Sequence, residues 1–299
     1  MRTMHTRSLP TLLAVAALAA ACSPKDQGAS AGGADSAGTT TATAAPAPAP
    51  NVVTVTAKDF AFEAPKEIPA GMTTFRLVND GGTFHHAQIV RLDSAKTFAD
   101  LQQALAKPGG PPPRWLVFIG GPNAPDPKGE SNATLDMAPG NYAILCFVDL
   151  PDGVPHVAKG MAMGLTVKPA EGSAAAAPAP TPDAVMTLAD YSFTLSKPLT
   201  AGKRTIEVRT ADGQQPHEVE LIRLEPGKTA KDVLAWMRKM EGPPPGRGLG
   251  GVAATVPGVP VYFTADLTPG DYALICFLPD AKDGKPHFTH GMVQQVKVT

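Results

Sequence analysis

The sequence predicts an all-β protein made of two tandem Greek-key β-sandwich domains, each with one short helix. Two observations carry this prediction. The chain contains an internal repeat at an offset of about 130 residues. Each copy consists mainly of short runs rich in β-branched and aromatic residues, and these runs are bounded by turn residues. Several short strands per copy, with a single helical pattern among them, are typical of a sandwich.

The repeat sets the predicted domain limits. We expect one domain at 51–168, an Ala/Pro-rich linker at 169–183 and a second domain at 184–299. The matching stretches of the two copies are DFAF at 59–62 and DYSF at 190–193, HHAQIVRL at 85–92 and HEVELIRL at 217–224, and PGNYAILCF at 139–147 and PGDYALICF at 269–277.

The secondary-structure pattern of the first copy can be followed along the chain. A helix is predicted at 97–106 and its counterpart at 229–240, each stopped by a Gly-Pro-Pro-Pro stretch that continues as an extended loop. The strand-like runs of the first copy are 52–56, 73–78, 87–92, 141–148 and 164–168.

The first fifty residues are not expected to belong to the fold. Basic Arg2 and Arg7 precede a short apolar run that ends at Cys22, and this stretch resembles a bacterial lipoprotein signal. The resemblance implies that residues 1–21 are removed, that Cys22 is lipidated, and that the protein is held at a membrane of the cell envelope, on its periplasmic or extracellular face. Residues 22–50 have the composition of a disordered Ala/Gly/Pro-rich tether.

Charge and cysteine content limit the classes of function. With 26 basic and 27 acidic residues and no run of Lys or Arg, the chain gives no sign of nucleic-acid binding. Of its three cysteines, Cys22 is assigned to the lipid, which leaves Cys146 in one copy and Cys276 in the other. One cysteine per domain is not a disulfide framework. Two explanations remain open: metal ligation, or a disulfide between the two copies.

Both copies carry the same set of soft metal ligands. Corresponding residues are 132, 130, 131 and 131 positions apart. Two imidazoles, one thiolate and a weak thioether form the arrangement of blue-copper electron-transfer sites. The candidate ligands are His85, Cys146, His156 and Met161 in the first copy and His217, Cys276, His287 and Met292 in the second.

These motifs resemble the cupredoxin family, the blue-copper proteins that include plastocyanin, azurin and the type 1 domain of copper nitrite reductase. A Gly-x-Tyr-x-x-x-Cys strand leads to Cys146, and the phrase His-x-x-x-Gly-Met follows at 156–161; the second copy repeats both at 270–276 and 287–292. The long Cys-to-His loop is most similar to the type 1 loop of nitrite reductase. The resemblance implies one copper per domain.

Alignment of the copies decides between neighbouring candidates. His85 is preferred to His86 because only His85 aligns with His217, and Met161 is preferred to Met163 because it aligns with Met292. Many cupredoxins carry Asn after the first His, whereas this chain has His86 and Glu218.

We predict a membrane-anchored copper protein that transfers electrons to or from a redox partner. The alternatives are a Cu(I) chaperone or store with a copper donor or acceptor, and a metal-free interaction protein. An enzyme is not expected, because copper enzymes of this type place a His beside the type 1 Cys, whereas Cys146 is flanked by Leu145 and Phe147. No His-x-His pair occurs that could hold a catalytic copper cluster.

Overall fold

The computed structural model describes residues 48–106, 113–170 and 177–299. These residues form strands and only two short α-helices, which confirms the predicted all-β class. The first repeat contains β1 Asn51–Lys58, β2 Ala61–Glu63, β3 Glu67–Pro69, β4 Gly71–Asn79, β5 Gln88–Leu92, α1 Phe98–Leu105, β6 Leu116–Phe118, β7 Glu130–Met137, β8 Gly140–Leu145 and β9 Ala162–Lys168. The second contains β10 Ala184–Ala189, β11 Ser192–Leu195, β12 Gly202–Thr210, β13 His217–Leu224, α2 Ala230–Met237, β14 Gly246–Thr255, β15 Val261–Leu267, β16 Gly270–Ile275 and β17 Val293–Val298.

Each repeat packs two sheets face to face. In the first repeat β7, β4, β1 and β2 lie opposite the sheet β3-β9-β8-β5-β6, and in the second β11, β10, β12 and β15 lie opposite β14-β13-β16-β17. β1 pairs with β4 in parallel, and β10 pairs with β12 in the same way. Alternating side chains of these strands are buried between the sheets, as the period of two along a strand requires.

The two repeats are joined through one continuous sheet. β7 of the first repeat pairs with β15 of the second, so that the outer sheets merge into eight strands. The Asn132 side chain spans this junction: its Nδ2 donates to the Thr264 carbonyl at 2.7 Å, and its Oδ1 accepts the Thr264 N–H at 2.9 Å. The sequence does not reveal this pairing. The predicted division into domains at 51–168 and 184–299 therefore stays a prediction.

Close approach of the repeats depends on glycine. Residues 119–125 form isolated bridges with 249–255 across the junction. Gly120 and Gly250 have φ of +95° and +85°; a Cβ on Gly120 would lie 2.7 Å from Val261 Cγ2 of the second repeat, and a Cβ on Gly250 would lie 2.3 Å from Ser131 Cβ of the first repeat. Only glycine tolerates both the conformation and the contact.

Several predicted boundaries need correction. The second helix ends at Met237 rather than at residue 240, because Met240 adopts a left-handed conformation before the proline run. After that run the chain enters the ten-residue strand β14, where an extended loop was predicted. The strand predicted at 141–148 ends at Leu145.

Each helix begins one residue after the Thr that the prediction includes, Thr97 or Thr229; that Thr is the N-cap and forms a capping box with the Asp three residues later. Within the described residues, neither helix is long or apolar enough to cross a bilayer. The predicted signal at 1–21 and Cys22 lie outside the described residues, as do most of the predicted tether and the centre of the linker.

Candidate metal centres

The candidate ligands lie at one end of a single sheet in each repeat. In the first repeat this is the sheet that contains β5 and β8, and in the second it is the sheet that contains β13 and β16. His85 precedes β5, and Cys146 directly follows β8. His156 begins a short 3₁₀ turn, and Met161 follows that turn. All four residues have an exposed fraction of 0%, as do their counterparts in the second repeat, His217, Cys276, His287 and Met292. The fold therefore brings residues far apart in sequence into one buried cluster.

The donor atoms of the first repeat converge. His85 Nδ1 lies 3.0 Å from His156 Nδ1, and Cys146 Sγ lies 3.5 Å from His156 Nδ1 and 4.0 Å from His85 Nδ1. Ligands bound to one metal at about 2.0–2.3 Å are themselves about 3–4 Å apart. This spacing fits a single ion held between three donors.

The second repeat has the same geometry. His217 Nδ1 lies 3.1 Å from His287 Nδ1, and Cys276 Sγ lies 3.3 Å from His287 Nδ1. The three donor atoms lie within 4.8 Å of one another. The two cysteines are free and buried, and each lies beside the two histidines of its own repeat. The alternative of a disulfide between Cys146 and Cys276 is therefore wrong.

Backbone hydrogen bonds fix the loop that carries the last two ligands. The Cys146 N–H donates to the Met161 carbonyl at 3.2 Å, and the Met161 N–H donates to the His156 carbonyl at 3.1 Å. The Val157 N–H donates to the Cys146 carbonyl at 2.7 Å. The second repeat has an equivalent set around Cys276. Cys, His and Met are thus held by one another's main chains, and Met161 and Met292 are placed beside the donor cluster.

An aspartate orients the first histidine of each site. Asp59 Oδ1 lies 3.1 Å from His85 Nε2, and Asp190 Oδ1 lies 2.7 Å from His217 Nε2. A neutral imidazole that donates Nε2–H to a carboxylate keeps the Nδ1 lone pair free, and Nδ1 is the atom that faces the cysteine. Prediction from sequence missed both aspartates as site residues. The signal was available, because each begins a stretch by which the repeats align.

Burial sets the protonation states of the donors. It raises the pKa of the Cys146 thiol to about 12 and raises the pKa of Cys276 as well. It also lowers the pKa of His156 to about 4 and lowers the pKa of His217. Near neutral pH the imidazoles are therefore neutral and ready to bind a metal, whereas each thiol must release a proton to do so.

His86 and Glu218, which follow His85 and His217, accept a backbone hydrogen bond beside each cysteine. His86 Nε2 accepts the Phe147 N–H at 2.8 Å, and Glu218 Oε1 accepts the Phe277 N–H at 2.9 Å. Two chemically different side chains thus hold the residue that follows each cysteine. His86 does not belong to the donor cluster.

A further group of potential donors lies near the surface of the second repeat. Asp280, Asp283 and His290 have donor atoms within 4.8 Å of one another. Asp280 is already bonded to Tyr191 and Gln215, and Asp283 faces His290 at 3.2 Å. This group forms a hydrogen-bond network beside the metal centre.

The chain was compared with known proteins. No protein-family model and no curated protein matches it. Solved structures similar to it include blue-copper proteins and a copper enzyme. The reduced auracyanin of Roseiflexus castenholzii is 23% identical over 41% of this chain and 100% of its own, with a TM-score of 0.28. Auracyanin A of Chloroflexus aurantiacus is 19% identical over 40% and 100%, with a TM-score of 0.28. The copper nitrite reductase of Thermus scotoductus is 11% identical over 83% and 61%, with a TM-score of 0.22.

Proposed function

We propose that this protein binds one copper ion in each repeat at a mononuclear, type 1-like site and transfers electrons. The observation that carries the proposal is the pair of buried His₂Cys clusters with converging Nδ1, Nδ1 and Sγ atoms. Thiolate together with imidazole suits copper, and a weak axial thioether completes the blue-copper set. Zinc is also bound by such donors, so the decisive property is the electronic spectrum of the loaded protein.

The side chains have distinct roles in this proposal. Cys146 supplies the thiolate, His85 and His156 the imidazoles, and Met161 the axial thioether; Cys276, His217, His287 and Met292 do so in the second repeat. Copper, when bound, supplies a one-electron redox couple. The chain supplies a donor set fixed by the fold, since the cysteine and the loop histidine are held through main-chain hydrogen bonds.

Enclosure of the donors favours electron transfer over copper delivery. Each ligand has an exposed fraction of 0%, so release of copper to another protein requires local opening of the loop. An electron needs no such opening. Partly exposed apolar residues next to the loop, Val154 and Pro155 in one repeat and Pro286 and Phe288 in the other, offer a contact surface for a redox partner.

We propose no substrate transformation by this chain. Leu145 and Phe147 flank Cys146, and Ile275 and Phe277 flank Cys276, so neither cysteine has the adjoining His that connects a type 1 site to a second copper centre. A redox protein is the expected partner.

The experiment that tests the proposal is an absorbance spectrum of the purified protein after loading with Cu(II), together with metal analysis. An intense visible thiolate-to-copper band that bleaches on reduction and returns on oxidation is expected. The Cys146→Ser/Cys276→Ser double variant is the control and should lack the band. Tight Cu(I) binding without a coloured oxidised state would contradict electron transfer and favour copper storage; no copper in either state would contradict both.

We also propose that Cys22 is lipidated and anchors the protein at the cell envelope, on the periplasmic or extracellular face. The proposal rests on the sequence alone. Mass spectrometry of the N-terminal peptide and membrane fractionation should show a diacyl- or triacyl-modified Cys22, and Cys22→Ser should release the protein. An unmodified Cys22 in the native protein would contradict it.

A further inference from the structure

The loop between the cysteine and the second histidine has matching internal hydrogen bonds in the two repeats. The main-chain N–H of His156 donates to the Val148 carbonyl at 2.9 Å, and that of His287 donates to the Leu278 carbonyl at 2.9 Å. Each loop also contains an Asp whose carboxylate accepts the N–H two residues later, at 3.0 Å in the first repeat and 2.9 Å in the second. These bonds give neither loop an advantage in stability.

The loop of the second repeat is in addition fastened to other parts of that repeat. Asp280 Oδ2 accepts the Tyr191 hydroxyl proton and, at 2.8 Å, a proton from Gln215 Nε2. Gln215 Oε1 accepts the Ala281 N–H at 2.9 Å. Gln215 itself lies two residues before the ligand His217. These three hydrogen bonds, which we call the loop clamp, join the ligand loop to the segment that places the first histidine.

The first repeat has a different residue at each side-chain position of the loop clamp. The replacements are Phe60 for Tyr191, Thr83 for Gln215 and Leu150 for Asp280. Leu150 and Asp280 correspond because each donates its N–H across its loop, at 2.9 and 2.8 Å. The side chains of Phe60 and Leu150 carry no hydrogen-bonding group. Among the described residues, no hydrogen bond joins 149–154 to another part of the first repeat, so this loop has no clamp.

We propose that the first centre exchanges copper with external Cu(I) ligands, whereas the loop clamp, with Gln215 as its positioning residue, makes the second centre retain its copper. This inference rests on the proposed copper function. The ligands of both centres have an exposed fraction of 0%, so copper leaves only when the loop that carries the second histidine opens locally.

Opening of the second loop must break the loop clamp as well as the internal bonds. Two of the three clamp bonds end on one carboxylate, and hydrogen bonds to charged groups are among the strong ones. The second loop therefore opens more rarely than the first. In the exchange step, copper passes as Cu(I) to another ligand, the thiolate takes up a proton, and no electron is transferred.

The test compares the rate of copper loss from the two centres. Cys276→Ser, which keeps the first centre, and Cys146→Ser, which keeps the second, are loaded with Cu(I) and mixed with bathocuproine disulfonate. The chelator is raised until the rate no longer depends on its concentration, so that loop opening limits the reaction. We expect the first centre to lose copper at least about tenfold faster, the effect of one hydrogen bond to a charged group. Equal rates, or faster loss from the second centre, would overturn the proposal.

Two substitutions assign the difference to the loop clamp. In Cys146→Ser, Gln215→Ala removes two clamp bonds and should speed copper loss about tenfold. Tyr191→Phe removes the third bond and should also speed it. Thr83→Ala in Cys276→Ser is the matched control at the position equivalent to Gln215; Thr83 accepts a hydrogen bond through its main-chain carbonyl, which the substitution leaves in place. Unchanged rates in both clamp variants, or an equal acceleration in the control, would contradict the role of the clamp.

Hydrogen exchange of the apoprotein separates this inference from the copper proposal. The N–H groups of His156 and His287 form equivalent bonds at the base of the two loops, so their protection factors report loop opening without metal. His287 should be at least about tenfold better protected, and Gln215→Ala should remove most of this difference. Unequal protection in a protein that binds no copper would refute the proposed function and leave the loop clamp established. Equal protection in the parent protein would overturn this inference even if both centres bind copper.

Discussion

The two metal centres have the same donors but differ in what surrounds the loop histidine. In the first repeat, the Phe60 ring packs edge-on against His156, and among the described residues His156 Nε2 has no hydrogen-bond partner. In the second repeat, Tyr191 replaces this phenylalanine and donates its hydroxyl proton to Asp280. The Asp280 carboxylate lies 3.8 Å from His287 Nε2, too far for a hydrogen bond but close enough for electrostatic attraction.

The difference shows how duplication can keep a ligand set and vary its electrostatics. Hydrogen bonds from Tyr191, which has the larger effect, and from Gln215 hold the pKa of Asp280 well below its usual range. Its carboxylate is therefore charged near neutral pH. Asp280 has a side-chain exposed fraction of 1%, which limits screening by solvent. A buried negative charge favours the more positive oxidised copper. We therefore expect the second centre to have the lower reduction potential.

The largest expected effects isolate each centre for comparison. Cys146→Ser should remove copper and the visible band of the first centre and leave the second, and Cys276→Ser should do the reverse. The reason is that the thiolate is the only anionic donor in each cluster. Copper analysis after loading should fall from two ions per chain to one in either variant. Loss of both ions in a single variant would contradict two separate mononuclear sites.

Both centres should release a thiol proton when they bind copper. Because burial keeps both thiols protonated, each binding event releases one proton, and Cu(I) affinity should rise about tenfold per pH unit between about pH 6 and 8. Below about pH 5 the slope should steepen as His156, with its pKa of about 4, becomes protonated. Competition titrations with a Cu(I) chelator on each single-site protein check this. A flat profile would show that the thiol is not the ligand.

Removing Asp59 or Asp190, which orient His85 and His217, should have the next largest effect on copper affinity. Asp59→Asn and Asp190→Asn each remove the carboxylate that accepts Nε2–H, and such changes lower metal affinity about 10- to 100-fold. Copper affinity of the matching single-site protein measures the effect. Asp80→Asn is a control, since the exposed Asp80 carboxylate pairs with Lys128 and not with a ligand histidine. An equal loss in the control would assign the effect to general surface charge.

The smallest expected effect is on the reduction potential of the second centre, and it tests the role of Asp280 in the difference between the centres. Asp280→Asn should raise the potential of the second centre by roughly 60 mV, equivalent to a tenfold change for one electron, and so reduce the difference between the centres. Asp283→Asn is the matched control, because it removes the same charge at an exposed position that faces His290. Redox titration of Cys146→Ser with each substitution gives both values. A fall in potential on Asp280→Asn would reverse the proposed electrostatics.

The features that could be predicted from sequence are mainly those that appear in both copies of the repeat. Two copies in register distinguish His85 from His86, and β-branched runs bounded by turns predict the strands of the inner sheet. The orienting aspartates Asp59 and Asp190 were missed although the repeat alignment marked them, and the merging of β7 with β15 and the hydrogen bond from Asn123 to Glu218 across the junction could not be predicted. Each is a contact between residues distant in sequence, and Asn123 in addition has no counterpart in the second copy.

The measurement that tests the central claim most directly is copper-edge X-ray absorption of the fully loaded protein. The account predicts that every copper has two nitrogen neighbours at roughly 2.0 Å and one sulfur at roughly 2.3 Å, with no nearby second copper. An average site without a sulfur neighbour, or a copper–copper distance typical of a cluster, would contradict two buried mononuclear His₂Cys centres.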